Sequence, residues 1–238
     1  MNLERYQALV IGATGAVGSA LVRELLASPH CDAVTILTRR HTAVFDHAPG
    51  LARLQERVID FEQLEDQTAD AARDRQVAFC TLGVGQPRKM ARKQVWKIDV
   101  DYTAAFGRGL AAGGVRHVSL LSAAGADPQS GNWYFKVKGA AEEALKAANI
   151  PRTSLFRPSL LATEEIRYGL QDRLMQGIFP RISWLLPSRF HEIRVEDLGR
   201  CMRMNAERPD GEAVEVLHYQ DFVTLLGSES SRTPLHRK

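Results

Sequence analysis

The chain has no apolar run long enough to cross a bilayer, which takes about 20 residues. Its most apolar later stretch, "ISWLLP" at 182–187, is short and follows Arg181. The opening "MNLERYQALV" carries Glu4 and no long apolar core, so no signal peptide is expected. Cysteine is scarce. Cys31, Cys80 and Cys201 are the only three, spaced for neither a disulfide framework nor a zinc ribbon. Two lie in apolar surroundings, which suits buried thiols in a reducing compartment, and a soluble cytoplasmic protein is expected. The seven histidines form no H-x-x-x-H pair and no cluster with carboxylates, so no metal is expected. An excess of one charge is missing too. A net charge of +3 is too small to argue for nucleic acid or a membrane.

What is present is apolar material, 45% of 238 residues, enough for a sizeable core. Strand and helix patterns alternate along it. "ALVI" (8–11), "AVTIL" (33–37), "RVID" (57–60), "QVAFCTL" (76–82), "HVSLLS" (117–122) and "RTSLFR" (152–157) read as strands. Helices are expected over Ala16–Ala27, over 101–114, closed by its paired glycines, and over 134–148 before Asn149 and Pro151. This order predicts an α/β fold, a doubly wound, Rossmann-like parallel sheet in a single domain over 1–227. Residues 160–210 break the rhythm and are expected to form a small substrate or cap region. "EAVEVLHY" (212–219) reads as one more strand, and the polar tail 228–238 as disordered.

Within "ALVIGATGAVGSALVRELLAS" (8–28), Gly12, Gly15 and Gly18 follow a strand and open a helix. In that context one glycine serves a bend at positive φ, one lets pyrophosphate approach the main chain, and one allows close packing. Free N–H groups at the helix start then bind phosphate. The spacing is G-x-x-G-x-x-G, which by itself also fits a plain tight turn. The next strand ends "ILTRRH", with Arg39 and Arg40 where an NAD site places an acid. A guanidinium grips a 2′-phosphate, so NADP(H) is favoured over NAD(H). Asp60, ending "VID", could accept a bond from adenine or cap the following helix. "TLGVG" (81–85) lies on the same sheet edge and suits the cofactor ribose.

Ser122 ends the fifth strand, and Tyr134 and Lys138 follow at helical i, i+4 spacing. An ammonium near a phenol favours phenolate, so the tyrosine could exchange a proton with a carbonyl or alcohol oxygen. Ser122 could hold that oxygen, and Lys138 could also bond the nicotinamide ribose.

"GATGAVG", "TRR", "VIDF", "SAAGAD", "YFKVKG" and "FRPSLL" fall in the order of a short-chain dehydrogenase/reductase of the atypical or extended type, over roughly residues 8–162. The chain most resembles the Tat-interacting-protein oxidoreductase group and its bacterial relatives. "IRVEDLGRCM" (193–202) is similar to that family's segment after the substrate region, where an acidic residue opens a late helix. The resemblance implies cofactor roles for Gly12, Thr14, Gly15, Ala16, Val17, Arg39, Asp60, Leu82 and Gly83, and catalytic roles for Ser122, Tyr134 and Lys138. Two places depart from the pattern: "TLGVGQPRK" replaces an Asn- or Gly-rich loop, and "RPS" stands where many relatives have "RPG".

"PRKMARKQVWK" (87–97) spaces Arg88 with Arg92, and Lys89 with Lys93 and Lys97, by four. Such a basic face could meet an anionic substrate, a cofactor phosphate or RNA, or simply be solvated. It lacks the aromatic platform that nucleic acid needs. His191 and Trp184, Leu185 and Leu186 read as structural or cap-lining. The favoured function is NADP(H)-dependent hydride transfer to or from a small carbonyl or alcohol compound. The alternatives are an NADP(H)-binding redox sensor without turnover and, last, a sugar-nucleotide epimerase or dehydratase, for which 160–210 is short. A homodimer is a candidate assembly that carries no sequence signature.

Overall fold

The computed structural model describes residues 5–162 and 192–230. Seven parallel strands form the main sheet, in the order β3-β2-β1-β4-β5-β6-β9. They are β1 (Tyr6–Ile11), β2 (Cys31–Thr38), β3 (Leu54–Val58), β4 (Val77–Cys80), β5 (His117–Leu121), β6 (Arg152–Phe156) and β9 (Val214–Leu217). The central strands are largely buried because helices cover both faces. β1, β4 and β6 are almost wholly buried. Strand order reverses between β1 and β4, and open α/β sheets bind ligands at such a point, outside the carboxyl ends. There Thr81 ties the two strands, donating to the Ile11 carbonyl through its N–H and its hydroxyl, each at 3.0 Å.

One face is covered by α1 (Ala16–Ala27), α6 (Val195–Glu207) and α7 (Tyr219–Ser230). Leu21, Leu25, Leu198, Met202 and Phe222 pack together beneath them. The other face is covered by α2 (Leu64–Ala72), α4 (Tyr102–Ala112) and α5 (Trp133–Lys146), over Phe106, Leu110 and Leu145. A short α3 (Arg92–Trp96) runs through a π-helical turn (Lys97–Asp101) into α4. The helix expected from 101 therefore begins earlier. A separate parallel pair joins β7 (Leu160–Ala162) to β8 (Glu192–Arg194).

Three expectations change. The 160–210 region is not all cap: α6 lies against α1 so closely that a Cβ on Gly199 would stand 2.7 Å from the Leu21 nitrogen. The last helix runs to Ser230, into the stretch expected as tail, and the remainder of that tail lies outside the described residues. Arg88 and Arg92 do not share a helix face, because Pro87–Lys89 is a 3₁₀ turn and α3 starts only at Arg92. Trp184, Leu185, Leu186 and His191 lie outside the described residues.

Candidate active site

Two adjoining cavities, of about 1090 and 960 Å³, open at the carboxyl edge and share a wall formed by Gly15 and Thr81–Gly85. The turn between β1 and α1 builds the first half of that wall. Gly12 has φ +83°, and a Cβ there would come within 2.5 Å of the Thr81 backbone, so only glycine fits. Gly15 is the N-cap of α1, with no side-chain cap and no acidic residue in the first turn. The leading N–H groups of α1 are thus free of a side-chain cap where the two cavities meet. Such a helix start, beside an obligatory glycine, fits a pyrophosphate.

The smaller cavity is lined by Gly12, Thr14, Arg39, Arg40, Leu82 and Gly83. Arg39 stacks over the Phe61 ring at 5.8 Å. Asp60 is not among the lining residues. Its Oδ1 accepts from the Glu62 N–H at 2.9 Å and caps a 3₁₀ turn, the role weighed against adenine binding, while Phe61 faces the cavity. Lys89 lines this side as well.

The larger cavity brings together Ala16, Val17, Ser122, Tyr134 and Lys138. Ser122 follows β5, and its N–H donates to the Phe156 carbonyl at 2.8 Å. Asn132 caps α5, its Oδ1 accepting from the N–H groups of Tyr134 (2.9 Å) and Phe135 (3.4 Å). The cap sets Tyr134 in the first turn, at the cavity wall. Lys138, one turn on, places Nζ 6.0 Å from the Tyr134 ring centroid.

Behind these residues stand side chains that the sequence reading missed. Asp99, buried in the π turn, accepts from Lys138 Nζ at 2.7 Å and from the Val84 N–H at 3.0 Å. Burial alone would push the Lys138 ammonium toward neutrality, but the Asp99 carboxylate, with Tyr134 adding to it, holds Lys138 above the ordinary lysine value. Two of the three ammonium protons stay free for the cavity. Glu142, one further turn along α5 and buried, accepts the Ser122 hydroxyl at 2.5 Å. Arg157 donates to both Glu142 oxygens, at 2.9 and 2.5 Å. The signal was there for Glu142, at i+4 from Lys138 on the same apolar-sided helix. Nothing in the sequence marks Asp99, whose partners lie 15 and 39 residues away.

A family model described as NAD(P)H-binding matches residues 12–177. Protein HTATIP2 of Rattus norvegicus is 29% identical over 226 residues, 94% of this chain and 90% of its own length. Protein FMP52-1, mitochondrial, of Scheffersomyces stipitis is 30% identical over 177 residues, 72% of this chain and 74% of its own. Among solved structures, MoeE5 in complex with UDP-glucuronic acid and NAD superposes with a TM-score of 0.68 at 18% identity, over 94% of this chain and 82% of that one. This likeness is one of fold. The fungal relatives overturn the cytoplasmic expectation, since they are named mitochondrial. Buried thiols and an N-terminus without an apolar core do not set the compartment. Among the described residues, no helix is long and apolar enough to cross a membrane.

Proposed function

The chain belongs to the NAD(P)H-binding family, and from that premise we propose that it is an NADP(H)-dependent oxidoreductase acting on a small carbonyl or alcohol compound at Tyr134. One observation carries the reading. Ser122, Tyr134 and Lys138 line a single cavity that shares a wall with the cavity holding Gly12, Thr14, Arg39 and Arg40.

The α1 amides and the Gly12–Val17 turn would hold the pyrophosphate, and Arg39 and Arg40 the 2′-phosphate. Leu82 and Gly83 would flank the ribose. When bound, the cofactor supplies the hydride donor or acceptor. The chain supplies the proton chemistry. Tyr134 gives its phenolic proton to a carbonyl oxygen in reduction and takes one from an alcohol in oxidation. Lys138 stays charged beside it because Asp99 answers its burial. That ammonium favours the anionic partner and has protons left for a ribose hydroxyl. Ser122 steadies the substrate oxygen. Its proton rests on Glu142, yet Arg157 already gives Glu142 two bonds, so the hydroxyl can turn outward without stranding a buried carboxylate.

Tyr134→Phe tests this directly. The variant keeps its shape and loses the proton. With an aldehyde panel and NADPH, absorbance at the reduced-nicotinamide band should show turnover reduced about 100-fold or more, while NADPH binding is retained. Undiminished turnover removes Tyr134 from the role.

A further inference from the structure

We propose that the larger cavity receives an anion: the compound that reaches Tyr134 carries a carboxylate or phosphate, held by Arg88 and Arg92. This rests on the reading of Tyr134 as the reaction centre, and it adds a class of substrate to it.

Arg88, Arg92 and Lys138 line the cavity, and among the described residues no aspartate or glutamate does. Lys138 is answered by Asp99 from behind. Neither Arg88 nor Arg92 makes an ion pair among the described residues, and both are exposed. Two unanswered guanidinium groups at the mouth of a half-enclosed, low-dielectric cleft focus a positive field into it.

A bound cofactor does not need these two. Its phosphates have the α1 helix start and, across the shared wall, Arg39, Arg40 and Lys89 in the smaller cavity. The basic stretch is therefore divided. Lys89 faces the adenosine side, Lys97 leaves the cleft to pair with Glu62 at 2.6 Å, and Arg88 and Arg92 face the side of Tyr134.

The Arg92 guanidinium lies 5.2 Å over the Trp133 ring, and Trp133 packs on Trp96 with centroids 5.8 Å apart. This contact draws the exposed guanidinium of Arg92 to the cavity wall, and a guanidinium there can grip an oxyanion with two parallel bonds. It also restrains a side chain that otherwise loses rotamer freedom on binding. Trp133 immediately precedes Tyr134 in α5, so the anion subsite and the reaction centre are set by consecutive residues.

The test uses the full chain loaded with NADP⁺ at low salt. Tryptophan emission, to which Trp133 contributes, is titrated with benzoate, phenyl phosphate and benzyl alcohol. At least one anion should saturate about tenfold more tightly than the neutral alcohol. Whichever anion binds more tightly identifies the group as carboxylate or phosphate. In the double variant Arg88→Gln/Arg92→Gln that advantage should vanish with NADPH affinity unchanged, and Arg92→Lys should restore only part of it. Equal binding of anion and alcohol by the wild type, no saturable anion signal, or undiminished anion binding by the double variant overturns the proposal. So does a parallel loss of NADPH affinity, which would give the arginines to the cofactor. Tyr134→Phe separates the two readings. If it turns over normally yet binds anions like wild type, the reaction centre falls and the anion site stands.

Discussion

At the residue scale, the proposed preference for NADP(H) rests on Arg39. It follows β2 and lies on Phe61, and this exposed cation–π contact is worth about 0.5–1 kcal/mol. That is too little to explain an arginine there as a stability element, but enough to hold its guanidinium on the cavity wall. A 2′-phosphate arriving at this wall gains a charge-assisted pair, whereas a 2′-hydroxyl gains little. We therefore expect NADPH to bind more tightly than NADH. Arg39→Asp should weaken NADPH about tenfold or more and leave NADH nearly unchanged, since a carboxylate can accept from the hydroxyl and repels the phosphate. Titration of reduced-nicotinamide fluorescence reads both affinities. Equal wild-type affinities would end the argument. The arginine was visible in "ILTRRH", but the aromatic ring beneath it was not, because Phe61 comes from the turn after β3, distant in sequence.

At the element scale, the π turn Lys97–Asp101 is the device that joins the two cavities. A wider turn in a helix moves one residue out of the regular ladder, and here Asp99 reaches both the loop after β4 and Lys138 on α5. Removing one partner of a buried ion pair costs about 3–5 kcal/mol. Asp99→Asn should therefore lower the thermal midpoint and free Lys138 to respond to its burial, which disfavours the ammonium. The sign follows from the raised value of Lys138. In the wild type its ammonium persists through neutral and alkaline pH, so in the variant the alkaline loss of activity should begin at lower pH. An unmoved alkaline limb would mean that Asp99 does not set the charge of Lys138. Elements such as this turn are hard to read because their signal is a contact between distant segments. Buried parallel strands such as β1 and β4 were readable as unbroken apolar runs. The edge strand β3, with Gln55, Glu56 and Arg57 in its middle, gave little pattern, and its bounds lie earlier than "RVID" suggested. α2 entered the sequence reading only as the helix that Asp60 could cap, because its buried side is only Leu64, Thr68, Ala71 and Ala72.

At the scale of the whole molecule, the sheet puts its chemistry on one edge and a buried polar lock on the other. The glycine turn, the arginines and the Ser–Tyr–Lys set were legible because each follows the carboxyl end of a strand, and strand order brings those ends together. The lock was not, since it joins residues from β5, β6, β9 and α6. Ser154 Oγ donates to Glu215 at 2.5 Å, and Asn205 and Arg152 also donate to Glu215, at 3.0 and 2.9 Å. The Ser154 proton being spent on a carboxylate, His117 must donate from Nε2, which lies 2.7 Å from Ser154 Oγ. That tautomer leaves His117 Nδ1 buried, with no partner among the described residues. Charging the ring would place an N–H there, in a dry site facing Arg152 and Arg208 as well as Glu215. Burial first, and the two arginines next, push His117 down to about 3 against the opposing pull of Glu215. A histidine neutral in the folded chain and ordinary in the unfolded one contributes its full stability above about pH 6.5, and that contribution is lost as pH falls toward 3. At pH 4.5, two units below the unfolded value, the loss is about 3 kcal/mol. Carboxylates titrate in the same range, so the measurement is a difference. Urea midpoints of wild type and His117→Asn are compared at pH 7 and pH 4.5. The wild type should lose about 3 kcal/mol more than the variant, because asparagine has no proton to gain. Equal losses in the two proteins would show that the lock tolerates a charged His117, and the neutral-donor assignment would fall with it.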